Sequence, residues 1–399
     1  MTTHRFVVAL ALSAVAGSAC HGSTTDVDPL AFPLASADAA PDPSKAGPLP
    51  VGVRTIELDD TSRPDMNTKK PRHLKTEIWY PAAESARGQP GATYDLSTLL
   101  TADEVAQVKA KNIALPLLET TAVRDAPPRT THGPYPFVVF SHGHGGIRWQ
   151  STFYTVALAS HGYVVVSPDH EGDTLGDFLK TQMMTSVLAG VETRPQDVMF
   201  LMDYFTTLDP SDPLHGLYDM GHIGVTGHSF GAFTAMRVAA EDPLQRVKAI
   251  VPQAPTTSAE SLIGFGSDYI LQTPTLIEGA GDDHTLPFKD NAQPAYDHVA
   301  KPRALLDIIH GGHFTFSDLC KYDLAAIAAA VGFVNVGKVV SDGCGPTAPT
   351  AAVAEPIMNN FAIAWFNIHL RGSVKSWDFI TQARADSLTS GVATIQVDR

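Results

Sequence analysis

From residue 135 onward the chain alternates short runs that are apolar at almost every position with longer stretches whose apolar residues recur at helical spacing. The pattern predicts strands over 137–141, 163–167, 223–227, 249–252, 275–278 and 305–309, and helices over 150–160, 195–208, 230–241, 322–332 and 354–370. Strands apolar on both faces and separated by helices imply a mostly parallel sheet covered on both sides. Upstream, 51–58 and 73–80, the latter ending in Ile78-Trp79-Tyr80-Pro81, read as early strands. Residues 101–112 read as a short helix opened by a capping box of Thr101 and Glu104. There is no internal repeat, and the spacing leaves no room for a second core. The expectation is one α/β domain over 51–399.

The amino-terminal stretch breaks this rhythm. Arg5 precedes the apolar run Phe6–Ala16 and the small residues Gly17-Ser18-Ala19, the pattern of an export signal over 1–20 and too short for a spanning helix. Cys20 stands where a bacterial lipoprotein carries its acceptor cysteine, although Gly17 occupies the position where leucine is usual. The expected destinations are an outer-membrane or cell-surface lipoprotein, or a released periplasmic or secreted protein. Residues 21–50, dense in Pro, Ala, Ser and Asp, read as a flexible linker.

Composition narrows the function classes without naming one. A net charge of −14 argues against a protein that grips nucleic acid or an anionic membrane through its overall field, which leaves a lipidated N-terminus as the expected membrane attachment. Of three cysteines, Cys320 and Cys344 remain once Cys20 is set aside. An even pair in an exported chain is a candidate disulfide. It would close a loop of about 24 residues, contributing about 3 kcal/mol through chain entropy.

The most informative string is Gly227-His228-Ser229-Phe230-Gly231, between a strand-like run and a helix-like one. G-x-S-x-G in that context puts a serine hydroxyl on a sharp turn above the sheet edge, beside a helix N-terminus. Ser229 is the candidate nucleophile. The amide of Phe230 is one candidate oxyanion donor, and the glycine-loosened loop His142-Gly143-His144-Gly145-Gly146 supplies the other through the His144 amide.

A serine hydroxyl needs a histidine to take its proton and a carboxylate to orient that histidine. His313, in a glycine-rich loop after the last predicted strand, is the favoured base, with His310 the alternative. Asp283, in Gly279-Ala-Gly-Asp-Asp-His284, is the favoured acid, with Asp282 the alternative. The order serine, acid, histidine matches that of α/β-hydrolases. A zinc site from His142, His144, His310 and His313 is disfavoured because HGH and HGGH lack helical ligand spacing and a supporting carboxylate. Neither metal nor cofactor is expected. Asp169, His170, Glu171 and Asp173 form a polar loop suited to a pocket rim, a cap, or a calcium ion. The stretch 175–193, with Leu175, Phe178, Leu179, Met183, Met184, Val187 and Leu188, either lines an apolar acyl pocket or simply packs a helix on the sheet.

These motifs, together with VVFSHGHGG at 138–146, LASHGYVVVSPDHEGDT at 158–174, RPQDVMFLMDYF at 194–205, HFTFSD at 313–318 and AIAWFNIHLRG at 362–372, resemble bacterial platelet-activating-factor acetylhydrolase-like and dienelactone-hydrolase-like serine esterases over roughly 51–385. The resemblance implies an α/β-hydrolase fold, Ser229 as nucleophile, His313 as base and the His144 and Phe230 amides as oxyanion donors. In the animal acetylhydrolases the acid follows an earlier strand, which here is Val251-Pro-Gln-Ala-Pro255 and carries no carboxylate. Gly279, Asp283 and Pro287 fit the cutinase-like position instead, and His144 replaces the leucine common in HGLG. The implied activity is carboxylic-ester hydrolysis through an acyl-enzyme, on a small, lipid-like or polymeric ester. The alternatives are an amidase or peptidase on the same fold, or a cell-surface binding protein with an inactive hydrolase fold.

Overall fold

The apolar runs pair into a ten-stranded sheet. Its strands are β1 (Val51–Pro64), β2 (Pro71–Pro81), β3 (Val123–Arg124), β4 (Tyr135–Ser141), β5 (Val164–Pro168), β6 (Tyr218–His228), β7 (Val247–Gln253), β8 (Thr275–Ala280), β9 (Arg303–Ile308) and β10 (Ala393–Asp398). They lie in the order β10-β9-β8-β7-β6-β4-β5-β2-β1-β3. The computed structural model describes residues 40–64, 69–181, 186–257, 269–333 and 340–399. The expected signal, Cys20 and the linker as far as residue 39 lie outside them. Neighbours from β5 through β9 run parallel, while β2 is antiparallel to β5 and to β1, and β10 is antiparallel to β9. This is the mostly parallel α/β arrangement that the alternating pattern implied.

Side-chain alternation sorts the core into two layers. Val138 and Phe140 of β4 face one way, into a cluster with Tyr154 and Leu158 and with Ile357, Phe361 and Trp365. Phe137 and Val139 face the other, against Val198, Leu201, Met202 and Met236. The first layer is built by α2 (Thr152–Ser160) and α8 (Ala351–Arg371), the second by α4 (Val187–Thr206), α5 (Phe230–Glu241) and α6 (Ala292–Asp297). The remaining helices are α1 (Ala102–Ala110), α3 (Leu175–Thr181), α7 (Leu324–Ala330) and α9 (Gln382–Leu388). Among the described residues no helix is long and apolar enough to cross a membrane.

Several boundaries differ from the sequence pattern for physical reasons. α4 begins at Val187, and Pro195, expected near the helix start, sits in its interior, buried against the sheet. β10 carries no apolar run, since at the sheet edge only Ala393 is buried and exposed Thr394 and Gln396 alternate with half-buried Ile395 and Val397. The end of the expected linker is docked. Leu49 is buried, its amide donates to the Ser160 carbonyl at 3.1 Å, and Asp42 pairs with Arg384. At the start of α1 both halves of the expected capping box form, Glu104 N–H to Thr101 Oγ1 at 3.2 Å and Thr101 N–H to Glu104 Oε2 at 2.7 Å.

One buried carboxyl in the sheet is coupled to pH. Glu278 of β8 is fully buried, and burial pushes it up to about 8 while a hydrogen bond from Gln253 Nε2 at 2.8 Å opposes the shift. Between its ordinary 4.5 and about 8 the folded chain keeps a proton that the unfolded chain has released. Stability therefore falls as pH rises through that window, by up to about 1.4 kcal/mol per pH unit. Glu278→Gln is expected to flatten this dependence, measured as unfolding free energies in denaturant at acidic, neutral and mildly alkaline pH. A variant with the same slope as the wild type would assign the dependence elsewhere.

Candidate active site

The site lies where the sheet reverses its winding order. β5 lies on one side of β4, whereas β6 and the strands after it lie on the other. Loops at the carboxyl ends of strands flanking such a switch point splay apart and leave a crevice. Here they are the His142–Gly146 loop after β4 and the turn at Ser229 after β6.

Ser229 occupies a strained turn, with φ 57° and ψ −118°. A non-glycine residue at positive φ costs about 1–3 kcal/mol and persists only where its surroundings force it. Two close approaches do so. A Cβ on Gly231 would lie 1.9 Å from the Ser141 carbonyl oxygen, and one on Gly227 would lie 2.4 Å from the same atom. The start of α5 is thus pressed onto the end of β4, and the Ser229 amide is drawn to the Gln253 carbonyl at 2.8 Å.

The loop after β9 carries His313 and the loop after β8 carries Asp283, and the structure brings both to Ser229. His313 Nε2 lies 2.9 Å from Ser229 Oγ, and His313 Nδ1 lies 2.8 Å from Asp283 Oδ2. With Nδ1 donating to the carboxylate, Nε2 presents its lone pair to the serine hydroxyl. Asp283 Oδ1 also accepts the amides of Thr285 at 2.9 Å and Leu286 at 2.6 Å. The alternatives separate from this line. Asp282 turns outward to pair with His310 at 2.9 Å, both side chains exposed.

Residues 126–331, just over half of the chain, match the PET hydrolase-like family. The chain belongs to the PET hydrolase-like family. Residues 35–182 also match platelet-activating factor acetylhydrolase, isoform II. Cutinase est1 of Thermobifida alba is 25% identical over 182 residues, 45% of this chain and 54% of that protein. A bis(hydroxyethyl) terephthalate hydrolase of Streptomyces coelicolor is 26% identical over 191 residues, 47% of this chain and 54% of that protein. A probable 1-alkyl-2-acetylglycerophosphocholine esterase of Arthroderma benhamiae is 26% identical over 236 residues, 53% and 58% of the two chains. The chain thus spans a little over half the length of the curated relatives it matches. A solved ferulic acid esterase from Streptomyces cinnamoneus superposes with a TM-score of 0.62 at 26% identity, covering 87% of this chain and 96% of that one. The α/β-hydrolase fold follows from this likeness together with the strand order.

In this PET hydrolase-like chain the oxyanion candidates lie on the loop after β4 and at the start of α5. Phe230 opens α5, and its ring meets the His144 ring edge to face at 5.8 Å. Among the described residues the amides of Phe230 and His144 find no acceptor. The loop bearing His144 is held from beneath by Asp173, whose Oδ1 accepts the Gly145 amide at 3.0 Å and lies 2.6 Å from His144 Nδ1. Asp173 is in turn paired with the fully buried Arg194 at 3.1 Å. Arg194 also donates to the His142 carbonyl and to Ser141 Oγ, and lies 4.8 Å from the Phe230 ring centroid. Burial lowers Arg194 to about 10, so it remains charged at neutral pH.

A second tie joins the His142–Gly146 loop to the His313 loop. Gln150 Oε1 accepts the Gly143 amide at 3.1 Å, and its Nε2 donates to His228 Nδ1 at 2.9 Å. His228 Nε2 then donates to the His313 carbonyl at 2.8 Å. Burial first, and then the neighbouring His313, hold His228 well below the usual histidine range. It is a neutral strut between the loops.

The four histidines weighed against as a zinc site, His142, His144, His310 and His313, have separate partners in the structure. His142 is buried with Nδ1 against the Gly143 carbonyl, and His310 faces solvent with Asp282. The polar-loop residues are also already paired. Asp169 binds Arg148, Glu171 accepts the His73 amide, and His170 joins Ser141 to Asp197. Among the described residues no group of His, Cys, Asp and Glu is arranged to hold a metal ion. Gln150 and Arg194 were missed in the sequence because neither stands in a motif with its partners. Only the fold brings Arg194 to residues 141, 142 and 173.

Above Ser229 lies a cavity of about 400 Å³, lined by Leu96, Leu175, Phe178, Leu179, Ile327 and Phe333 among others. Leu175, Phe178 and Leu179 therefore line the pocket, as one of the two sequence readings held. Val187 and Leu188 are exposed, and Met183 and Met184 lie outside the described residues. Cys320 and Cys344, joined as a disulfide, tie together the two ends of the segment that carries α7.

Replacing Arg194 with methionine keeps the bulk but removes the buried cation that faces Asp173. Breaking a buried pair this way costs about 3–5 kcal/mol. Chemical denaturation of Arg194→Met should show a loss of that size, and wild-type stability would mean the guanidinium is dispensable to this network.

Proposed function

We propose that this chain is a serine carboxylic-ester hydrolase that works through an acyl-enzyme. The observation that carries the reading is the unbroken line from Ser229 Oγ to His313 Nε2 at 2.9 Å and from His313 Nδ1 to Asp283 Oδ2 at 2.8 Å. The names of the relatives given above, a cutinase, a bis(hydroxyethyl) terephthalate hydrolase and two esterases, support the same class.

In this mechanism Ser229 Oγ attacks the ester carbonyl as His313 Nε2 takes its proton. The amides of His144 and Phe230 receive the developing oxyanion, in a site held by Arg194 and Asp173. His313 returns the proton to the leaving alcohol, then activates water to release the acid. Asp283 stays ionised and steadies the imidazolium. The acyl group lies in the apolar cavity under α3 and α7, which favours esters with an aliphatic or aryl acyl part over charged ones. The polar and charged groups that surround the triad are committed to structure, which leaves ester selection to shape and hydrophobic burial.

Export is part of the same proposal. The disulfide fits an oxidising compartment, and residues 1–20 carry the signal pattern with Cys20 as lipid acceptor. The intact mass of the mature protein distinguishes a lipidated Cys20 from a free amino terminus.

Ser229→Ala should stay folded and lose at least about 10⁴-fold in kcat on aryl esters. Asp283→Asn should lose about 10⁴-fold, while Asp282→Asn keeps most activity. Equal losses at the two aspartates would contradict the assignment of the acid. Across a series of p-nitrophenyl esters, Phe178→Trp should shift the best acyl length downward, and an unmoved optimum would place the acyl chain outside this cavity.

A further inference from the structure

The loops carrying the acid and the base are braced by a residue that the mechanism above does not use. Between α7 and α8 the chain turns tightly over residues 341–344, with the Cys344 amide donating to the Ser341 carbonyl at 3.0 Å. At the centre of this turn Asp342 Oδ2 accepts three hydrogen bonds from the acid loop. They come from the His284 amide at 3.0 Å, the Thr285 amide at 2.8 Å and Thr285 Oγ1 at 2.7 Å. The Asp342 carbonyl accepts the amide of Phe314, the residue after His313, at 2.7 Å. One residue therefore grips both loops, with its side chain only 5% exposed.

The grip on the acid loop is shared with Asp283 itself. The Thr285 amide is bound by Asp283 Oδ1 at 2.9 Å as well as by Asp342 Oδ2, so the turn that aims Asp283 at His313 is clamped from both sides. Contact with the base loop is as tight as backbone allows. A Cβ on Gly312 would lie 2.4 Å from Asp342 Oδ1 and 2.4 Å from the Gly343 nitrogen, and Gly343 stands at φ +88°. The Cys320–Cys344 disulfide anchors the turn to the 3-10 segment Asp318–Lys321, which directly follows the base loop.

We propose that Asp342 is a positioning residue of this active site, acting through Asp283 and His313, with the disulfide holding it in place. The proposal rests on the serine-hydrolase reading above. Its physical basis is that the flanks of Asp283 are exposed. Asp282 and His284 both have exposed side chains; residue 282 is tied to the base loop by its pair with His310 and by its amide's bond to the Gly311 carbonyl at 2.9 Å, while beyond Asp283 the loop is held to the 341–344 turn by the three bonds to Asp342 and the His284–Asp342 pair at 3.7 Å. A loop released there lets the carboxylate drift from Nδ1 while the acyl cavity stays intact, and misplacement of about 1 Å can cost about 100-fold in rate.

The test compares Asp342→Ala, Asp342→Asn and Ser229→Ala in the full chain, with steady-state kinetics on one p-nitrophenyl ester and thermal unfolding of each. Asp342→Ala is expected to lower kcat by about 10- to 100-fold with KM nearly unchanged. Asn, which retains an acceptor oxygen for the same three donors, should recover most of that loss. Cys344→Ser should lower kcat in the same direction. A purely structural role would lower the unfolding temperature and leave kcat per folded molecule at the wild-type value, and that result for Asp342→Ala overturns the proposal. So does a loss in the folded Asn variant as deep as in the Ala variant. Full activity in Ser229→Ala instead removes the serine-hydrolase reading, an outcome distinct from the failure of the Asp342 proposal.

Discussion

The close approach of α5 to the end of β4 governs this site. The Gly231 backbone sits so near the Ser141 carbonyl that any side chain there would overlap it, and the same contact drives Ser229 into positive φ. Everything proposed for the chemistry depends on that compression. It lifts the hydroxyl above the sheet, exposes the first amide of α5 and sets where the base and acid loops must reach. Its cost in backbone strain is offset by the burial of α5 against the sheet, where Ala235, Met236 and Val238 are covered.

Around that point buried polar side chains hold the loops in place. Arg194 and Asp173 hold the oxyanion loop from below, Gln150 and His228 tie it to the base loop, and Asp342 ties the base loop to the acid loop. Each connection is made by side chains buried beneath the loops, although Arg194 Nε is left without a hydrogen-bond partner among the described residues. His228 serves as a strut because burial keeps it neutral, letting one nitrogen accept while the other donates. A protonated ring in that place would repel His313 during proton transfer. The cavity above is correspondingly plain, with apolar side chains from α3, α7 and the 3-10 segment Leu96–Leu99.

Much of the fold was legible because its strands are apolar on both faces, so the runs at 137–141, 249–252 and 275–278 stand out against any background. Elements with a weaker contrast were lost. β10 lies at an edge and is only partly covered, while α4 runs through Pro195 because burial against the sheet outweighs the missing amide. The choice between Asp282 and Asp283 shows the limit at the site. The spacing of Gly279, Asp283 and Pro287 favoured Asp283 over its neighbour, and the turn after β8 sends Asp283 inward to His313 and Asp282 outward to His310.

The sequence by itself determined the parallel sheet, the glycine-flanked serine turn and the order of the candidate groups. Each is a local matter of apolar periodicity, glycine placement and spacing along one stretch of chain. Only the tertiary structure decided which groups meet. Arg194 reaches residues 141, 142 and 173, and Asp342 reaches residues 284, 285 and 314, because contacts between distant segments depend on how helices and loops pack. No motif in a linear chain encodes such a meeting, since the hydrogen bonds that create it form only after the hydrophobic layers have brought the segments together.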